Sequence, residues 1–99
     1  MRLHFLDSFY EDLADLWEHI AEHNQNAADR LVDRLYERCG VLTQFPEAGP
    51  ARPDIHPECR VLAIDEYLLL YSVRDDGVRL RRVLHERRHQ SGIEWDAGA

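Results

Sequence analysis

Residues 58–88 read ECRVLAIDEYLLLYSVRDDGVRLRRVLHERR, and this stretch decides the fold. Branched aliphatic and aromatic residues fill three short runs, a composition that is typical of β-strands. The runs cover residues 58–64, 67–73 and 78–85, and the turn at residues 74–77 contains the Asp-Gly pair that favours a β-hairpin. The stretch therefore predicts an antiparallel meander of three strands.

The middle run, YLLLYSV, is apolar on both faces, which indicates a central strand. Helices from the first half of the chain can cover one face, and something else must cover the other. In the last run, strict alternation predicts one side with an arginine among apolar residues and a second, more basic side. The first side would hold Val78, Leu80, Arg82 and Leu84, and the second Arg79, Arg81, Val83 and His85.

The first half of the chain predicts a short strand followed by a helix. Residues 2–6 alternate weakly and suit the strand. Ser8 and Glu11 have the spacing of a capping box, and an apolar repeat at helical spacing continues from Phe9 to about His23.

A second amphipathic helix follows, capped by Asn24 or Asn26 and ending near Phe45. Residues 46–57 contain four prolines, which stop both helix and sheet and so predict an irregular crossover. The expected fold class is α+β: strand, helix, helix and three strands, with an antiparallel sheet packed on a helical hairpin.

The length of 99 residues predicts one domain over residues 1–99, with a flexible tail at about residues 91–99. No apolar run approaches the roughly 18 residues that span a bilayer, and the N-terminus lacks the apolar region of a secretory signal. We therefore expect a soluble, cytoplasmic protein. Cys39 and Cys59 show no C-x-x-C spacing, and we expect both to be free, buried thiols.

Charge is distributed unevenly along the chain. Residues 1–50 carry ten acids against four arginines, whereas residues 51–99 carry nine acids against eight arginines. A net charge of -7 disfavours non-specific nucleic-acid binding, which draws on broad positive potential. The arginines around the last strand therefore favour a protein partner over direct sequence-specific binding of nucleic acid.

Six residues are candidates for a binding surface, and each also has a purely structural interpretation. Arg82, on an apolar side, is either a contact residue or a buried arginine paired with an acid at position 58, 65 or 66. The same two interpretations apply, less strongly, to Arg60. Tyr71 suits the core, with its hydroxyl bonded to a polar neighbour. A structural hydrogen bond suits His85 better than acid-base catalysis does. The remaining candidates are Arg87 and Arg88, which solvent alone can also explain.

Residues 19–23 read HIAEH, which formally matches the H-x-x-E-H pattern of some zinc hydrolases. Ile20 belongs to the buried stripe, Glu22 points nearly opposite to it, and no third ligand is obvious. We therefore expect neither a metal nor another cofactor, and we interpret these histidines as residues of an exposed helix end.

The predicted helices read EDLADLWEHIAEHNQNAADRLVDRLYE, and they are followed by the segments FPEAGPARP, YLLLY and RVLHERR. In these segments and in the order of its elements, the chain resembles the RelE/ParE superfamily of toxins from bacterial toxin–antitoxin pairs. The resemblance covers about residues 2–90, and YLLLY and RVLHERR are similar to the ParE branch. That branch implies a growth-inhibiting poison of DNA gyrase, which performs no chemistry and is neutralised by a cognate antitoxin encoded nearby.

The RelE branch implies the alternative, a ribosome-dependent endoribonuclease that cleaves messenger RNA. Its members usually place an arginine directly after the first aromatic residue of the middle strand, where this chain has Leu68. If the protein is such an enzyme, Arg60, Arg82 and His85 or His89 would act on the phosphate. A third interpretation is a degenerate member that only pairs with its antitoxin. The sequence favours the gyrase poison.

Overall fold

The computed structural model describes residues 1–88 and 92–95. The strand, two helices and three strands follow one another in the predicted order, which confirms the α+β class. The elements are β1 (Leu3–Phe5), α1 (Asp7–Ala21), α2 (Gln25–Val41), β2 (Arg60–Ile64), β3 (Tyr67–Arg74) and β4 (Gly77–His85).

The four strands form one sheet in the order β1-β4-β3-β2. Strands β2, β3 and β4 make the predicted antiparallel meander, and β1 adds to β4 in parallel. Gly77, in the β3–β4 turn, has φ of +146°, and a side chain there would collide with the carbonyl oxygen of Arg2. The glycine of the Asp-Gly pair therefore serves both the hairpin and the close approach of β1.

The helix ends differ in part from the sequence prediction. Asn24 caps α2, since its side chain accepts a hydrogen bond of 3.0 Å from the N–H of Ala27. The predicted capping box at Ser8 is wrong: the N-cap of α1 is Leu6, and the Ser8 hydroxyl instead donates to the carbonyl oxygen of Arg81 at 2.7 Å. The first helix is thus fastened to β4 rather than capped by its own side chain.

Two apolar clusters lie on opposite faces of the sheet. The larger one joins the helical hairpin to the sheet through Phe9, Leu13, Leu31, Leu35, Cys39, Leu42, Leu62, Ile64, Leu69, Tyr71, Val78, Leu80 and Val83. The smaller one consists of Cys59, Val61, Leu70 and Leu84, and it is covered by Ile55, Leu68, Ile93 and Trp95. The chain itself therefore contributes cover for the second face of β3, from the crossover and from the residues beyond β4.

A β-bulge in β4 overturns the predicted alternation of that strand. Tyr71 pairs with Leu80 and Leu70 pairs with Arg82, so Arg81 is an extra residue with no partner in the register. Beyond the bulge the two faces exchange, because one inserted residue reverses a period of two. Val83 consequently joins the helix-facing cluster, and Leu84 joins the second-face cluster.

Within residues 1–88 and 92–95, neither helix is long and apolar enough to cross a membrane. The predicted flexible tail falls partly outside the described residues, at positions 91 and 96–99, as does His89.

Candidate interaction surface

Arg82 is bound by Asp12, which lies on α1. Its guanidinium group donates from Nε and Nη2 to the two carboxylate oxygens of Asp12, at 2.6 and 3.1 Å. The same carboxylate accepts the backbone N–H of Val83 at 3.0 Å. Hydrogen bonding to Asp12, opposed by desolvation, raises the pKa of Arg82 above its ordinary value. The sequence correctly indicated a possible structural ion pair for Arg82, but it named the wrong acids.

Arg81, predicted to lie on the more basic side of β4, is 1% exposed and is the largest fully buried side chain among the described residues. Its Nε donates to the hydroxyl of Ser72 at 2.9 Å, and its guanidinium carbon lies 4.5 Å from the centre of the Trp95 ring. The imidazole of His56 also stacks on Trp95, with ring centres 4.6 Å apart. Trp95 is thus held to the sheet by a cation-π contact and to the crossover by a stacked ring.

Tyr71 and Arg60 anchor the crossover. The fully buried Tyr71 donates its hydroxyl hydrogen to the carbonyl oxygen of Pro46 at 2.8 Å and accepts the N–H of Gly49 at 2.8 Å. Arg60 donates from Nη1 to the carbonyl oxygen of Gly49 at 2.7 Å. Burial is the main cause that raises the pKa of Tyr71. The predicted core position of Tyr71, with a bonded hydroxyl, is confirmed.

His85, at the end of β4, makes a hydrogen bond at one ring nitrogen and lies near a carboxylate at the other. Nδ1 accepts the backbone N–H of Arg87 at 3.1 Å, and Nε2 lies 3.6 Å from a carboxylate oxygen of Glu66. The ring also meets Tyr67 edge to face at 5.4 Å. Because Nδ1 accepts a hydrogen bond, the neutral ring carries its proton on Nε2, facing Glu66.

A groove of about 240 Å³ runs between α1 and the end of β4. Its lining includes the apolar residues Leu16, Val83 and Leu84, and side chains of both signs of charge. The charged or titratable lining residues are Asp12, Asp15, His19, His85 and Arg88. Arg87 and Arg88 are both exposed. Of the predicted candidates, the structure therefore brings together His85 and Arg88 in the groove, and Arg82 is paired with the lining residue Asp12. Arg60 and Tyr71, on β2 and β3, instead bond to the crossover.

A larger cleft of about 590 Å³ opens beside the start of α1. Its walls are mostly acidic, and Arg82 contributes the one guanidinium group on its described lining. The lining residues are Asp7, Ser8, Glu11, Asp12, Arg82, Glu94 and Trp95. Sequence reasoning missed Asp12 and Trp95, because their roles depend on partners about 70 and 14 residues away.

The HIAEH segment places the rings of His19 and His23 6.4 Å apart. In residues 1–88 and 92–95, no group of three or more His, Cys, Asp or Glu side chains could hold a metal ion. Cys39 and Cys59 are free and buried, as predicted. Desolvation raises the pKa of Cys39 to about 12 and that of Cys59 to about 11, so both thiols stay protonated at neutral pH.

Comparisons with known proteins agree with this architecture. Residues 3–90 match the family described as ParE toxin of the type II toxin–antitoxin system, parDE. A solved chain from the chromosomal ParDE toxin–antitoxin system of P. aeruginosa superposes with a TM-score of 0.74. The two chains are 20% identical, and the match covers 86% of this chain and 95% of the other, so it supports the fold alone. No curated protein matches the sequence.

Fold, element order and family match define a toxin of the RelE/ParE superfamily. Because the family match covers most of its length, the chain belongs to the ParE toxin family of type II toxin–antitoxin systems. Family membership implies a cognate antitoxin as its partner.

Proposed function

We propose that this toxin inhibits DNA gyrase by direct protein–protein contact, and that a cognate antitoxin neutralises it by binding the groove between α1 and the end of β4. Gyrase inhibition is what the ParE branch implies, and membership of that branch supports it here. Because gyrase acts on bacterial chromosomes, the toxin would act in the cytoplasm.

The observation that carries this proposal is the commitment of Arg82 to Asp12. Both side chains are only 13% exposed, and two hydrogen bonds hold the guanidinium group against the carboxylate. A metal-independent ribonuclease needs a cation free to bind the scissile phosphate. An arginine already neutralised by a carboxylate is poorly suited to that task, since a phosphate would have to displace Asp12.

The other two residues of the ribonuclease alternative have separate structural contacts. Arg60 donates to the crossover carbonyl of Gly49, and His85 faces Glu66. Leu68, where the ribonucleases usually have an arginine, lies against the apolar cluster on the second face. These contacts favour a toxin that acts by binding over one that cleaves RNA.

The proposed antitoxin site follows from the chemistry of the groove. Leu16, Val83 and Leu84 contribute the apolar part of its lining, while Arg88 and His85 stand at the strand end. An amphipathic segment that carries acids beside apolar anchors would match this surface, laid in as a helix or as an extended strand. Such a segment would cover the apolar lining and pair its acids with the exposed arginines.

The deciding experiment measures gyrase supercoiling and gyrase-dependent DNA cleavage with purified toxin, alone and after preincubation with the product of the neighbouring antitoxin gene. We expect a block of supercoiling or trapped cleaved DNA, reversed by the antitoxin, with ribosome-bound messenger RNA left intact. Topoisomerase I relaxation is the control for a non-specific effect on DNA.

Two results would count against the proposal. Cleavage of messenger RNA on ribosomes would establish the enzyme. Tight antitoxin binding with no effect on gyrase would instead indicate a member that only pairs with its antitoxin.

A further inference from the structure

An exposed aromatic strip runs beside β1. Phe5 packs on Phe9, Tyr10 and Tyr36, with ring centres 5.1, 5.9 and 5.5 Å apart. Phe9 is fully buried, yet Tyr10 is 47% and Tyr36 38% exposed. Clusters of rigid aromatic residues that stay half exposed are typical of binding surfaces.

Met1 precedes β1 and lies near the end of α2. Its ammonium group donates to the carbonyl oxygen of Thr43 at 2.6 Å, which places Met1 at the C-terminal end of α2. Met1 is 47% exposed. Of the four large, exposed hydrophobic residues in the described chain, Tyr10 and Tyr36 belong to the strip, and the other two are Met1 and Phe45.

The strip borders an open strand edge. The carbonyl oxygen of Arg2 accepts the N–H of Val78, and the N–H of Leu6 donates to Leu80, so residues 2, 4 and 6 direct their backbone groups toward β4. By alternation, Leu3 and Phe5 direct theirs away from the sheet. In the part of the chain that the structure describes, no backbone bond reaches these outward groups. Proteins rarely leave such an edge uncovered, because it is a template for another strand.

The edge is complementary to a second copy of itself. If two β1 strands run antiparallel about a twofold axis at His4, Leu3 of each copy stands opposite Phe5 of the other. Both residues direct N–H and C=O outward, so each such pair can exchange two hydrogen bonds. The twofold axis is perpendicular to the sheet, which keeps the helices of both copies on one face and brings the aromatic strips together.

Charge supports self-pairing. The start of β1 is positive, with the ammonium group of Met1 and the exposed Arg2, whereas the exposed Asp7 follows the end of β1 by two residues. An antiparallel pair sets the positive end of one copy beside the negative end of the other, at both ends of the contact. A partner segment of uniform charge would meet attraction at one end and repulsion at the other.

We infer that the β1 edge and its aromatic strip form a self-association surface, through which two copies of the toxin join their sheets into one continuous sheet. This surface lies outside the groove assigned to the antitoxin. The inference of self-association therefore does not rest on the proposed inhibition of gyrase.

Sedimentation velocity of the full-length chain over about 1 to 200 µM tests this inference, since dimer formation follows mass action. A reversible dimer is expected. Tyr36→Glu places a charge in the strip and should raise the dimer dissociation constant at least about tenfold. The matched control is Phe45→Glu, which alters a residue that is 62% exposed but is not part of the strip, and it should leave the constant unchanged.

A charge exchange gives a second test that does not depend on the aromatic core. Arg2→Glu alone should weaken the dimer, because it brings two acids together across the pair. Adding Asp7→Arg to that variant should restore the dimer.

A monomer at every concentration overturns the inference, as does a dimer that Tyr36→Glu and Arg2→Glu leave unchanged. A monomer whose antitoxin affinity falls with Tyr36→Glu would assign the strip to the antitoxin instead. Gyrase inhibition does not enter either test, so failure here is distinguishable from failure of the proposed function.

Discussion

The carboxylate of Asp12 joins α1 to β4 by accepting two hydrogen bonds from Arg82, at 2.6 and 3.1 Å, and a third from the N–H of Val83. The two residues are 70 positions apart in the sequence. Because this carboxylate receives three donors and its side chain is only 13% exposed, it fixes the helix against the strand that carries the candidate groove.

Asp12→Asn should destabilise the fold. The amide keeps the size of the side chain but leaves Arg82 largely buried without a countercharge, and loss of one member of such a pair costs about 2–4 kcal/mol. Urea denaturation measures the change in the free energy of unfolding. Asp76→Asn is the matched control, since Asp76 pairs with Arg79 through a side chain that is 62% exposed, and loss of so exposed a pair should have a much smaller effect. Equal effects of both variants would contradict the importance of the Arg82–Asp12 pair.

Tyr71→Phe should loosen the crossover without a direct effect on partner binding. Removal of the hydroxyl leaves the buried N–H of Gly49 without its acceptor, and an unsatisfied buried group costs about 1–3 kcal/mol. Thermal unfolding of this variant measures the loss of stability. Tyr10→Phe, which removes the hydroxyl of an exposed tyrosine, is the control. Because Tyr71 is fully buried, the folded variant should bind the antitoxin as the wild type does. A large fall in antitoxin affinity would instead assign Tyr71 to the interface.

The two thiols should resist alkylation while the protein is folded. Their ordinary pKa is 9.0, so values of about 12 for Cys39 and about 11 for Cys59 reduce the thiolate fraction at pH 8 by about a thousandfold and a hundredfold. Iodoacetamide labelling followed by mass spectrometry, in native and urea-unfolded samples, should show this protection. The thiols ionise at a lower pH in the unfolded chain than in the folded protein. Their contribution to the free energy of unfolding is therefore fully present below pH 9 and is lost as the pH rises toward 11 and 12. Equal labelling rates in both samples would contradict the burial of the thiols.

Element order was predictable from local signals, because apolar periodicity, the Asn24 cap and the Asp-Gly turn act within a few residues. The face of each residue in β4 was not predictable. The bulge at Arg81 inserts one residue, and nothing in RLRRVL distinguishes an inserted arginine from one in register. The Ser8 spacing misled for a similar reason, since its hydroxyl bonds across the fold to Arg81 rather than within its own helix.

The candidate site was predictable only in part. The exposed positions of Arg87 and Arg88 follow from their place beyond a strand, whereas the acid that holds Arg82 comes from a helix 70 residues earlier. Such a pair depends on how the helical hairpin lies on the sheet, which periodicity does not specify.

Reversing charge beside the groove should slow antitoxin association. Arg87→Glu with Arg88→Glu changes exposed residues, and charges at an interface rim act mainly on encounter rates. Stopped-flow or surface-based kinetics at low salt should show an association rate about tenfold or more below wild type, with a smaller difference at high salt. Arg30→Glu with Arg38→Glu, on exposed positions of α2, carries the same change of charge and is the control. If both pairs slow association equally, net charge rather than the groove is responsible.

His85→Gln separates a binding toxin from a ribonuclease. Glutamine can preserve a side-chain hydrogen bond to the N–H of Arg87 but cannot exchange a proton as a general acid or base. We expect the variant to inhibit gyrase supercoiling and bacterial growth as the wild type does, because Nδ1 already accepts a backbone hydrogen bond and Nε2 faces Glu66. A catalytic histidine would lose on the order of a hundredfold or more in rate. Toxicity assays in cells, run beside circular dichroism to verify folding, provide the measurement. Folded variant protein without toxicity, together with loss of ribosome-dependent messenger RNA cleavage shown by the wild type, would establish the enzyme in place of the gyrase inhibitor.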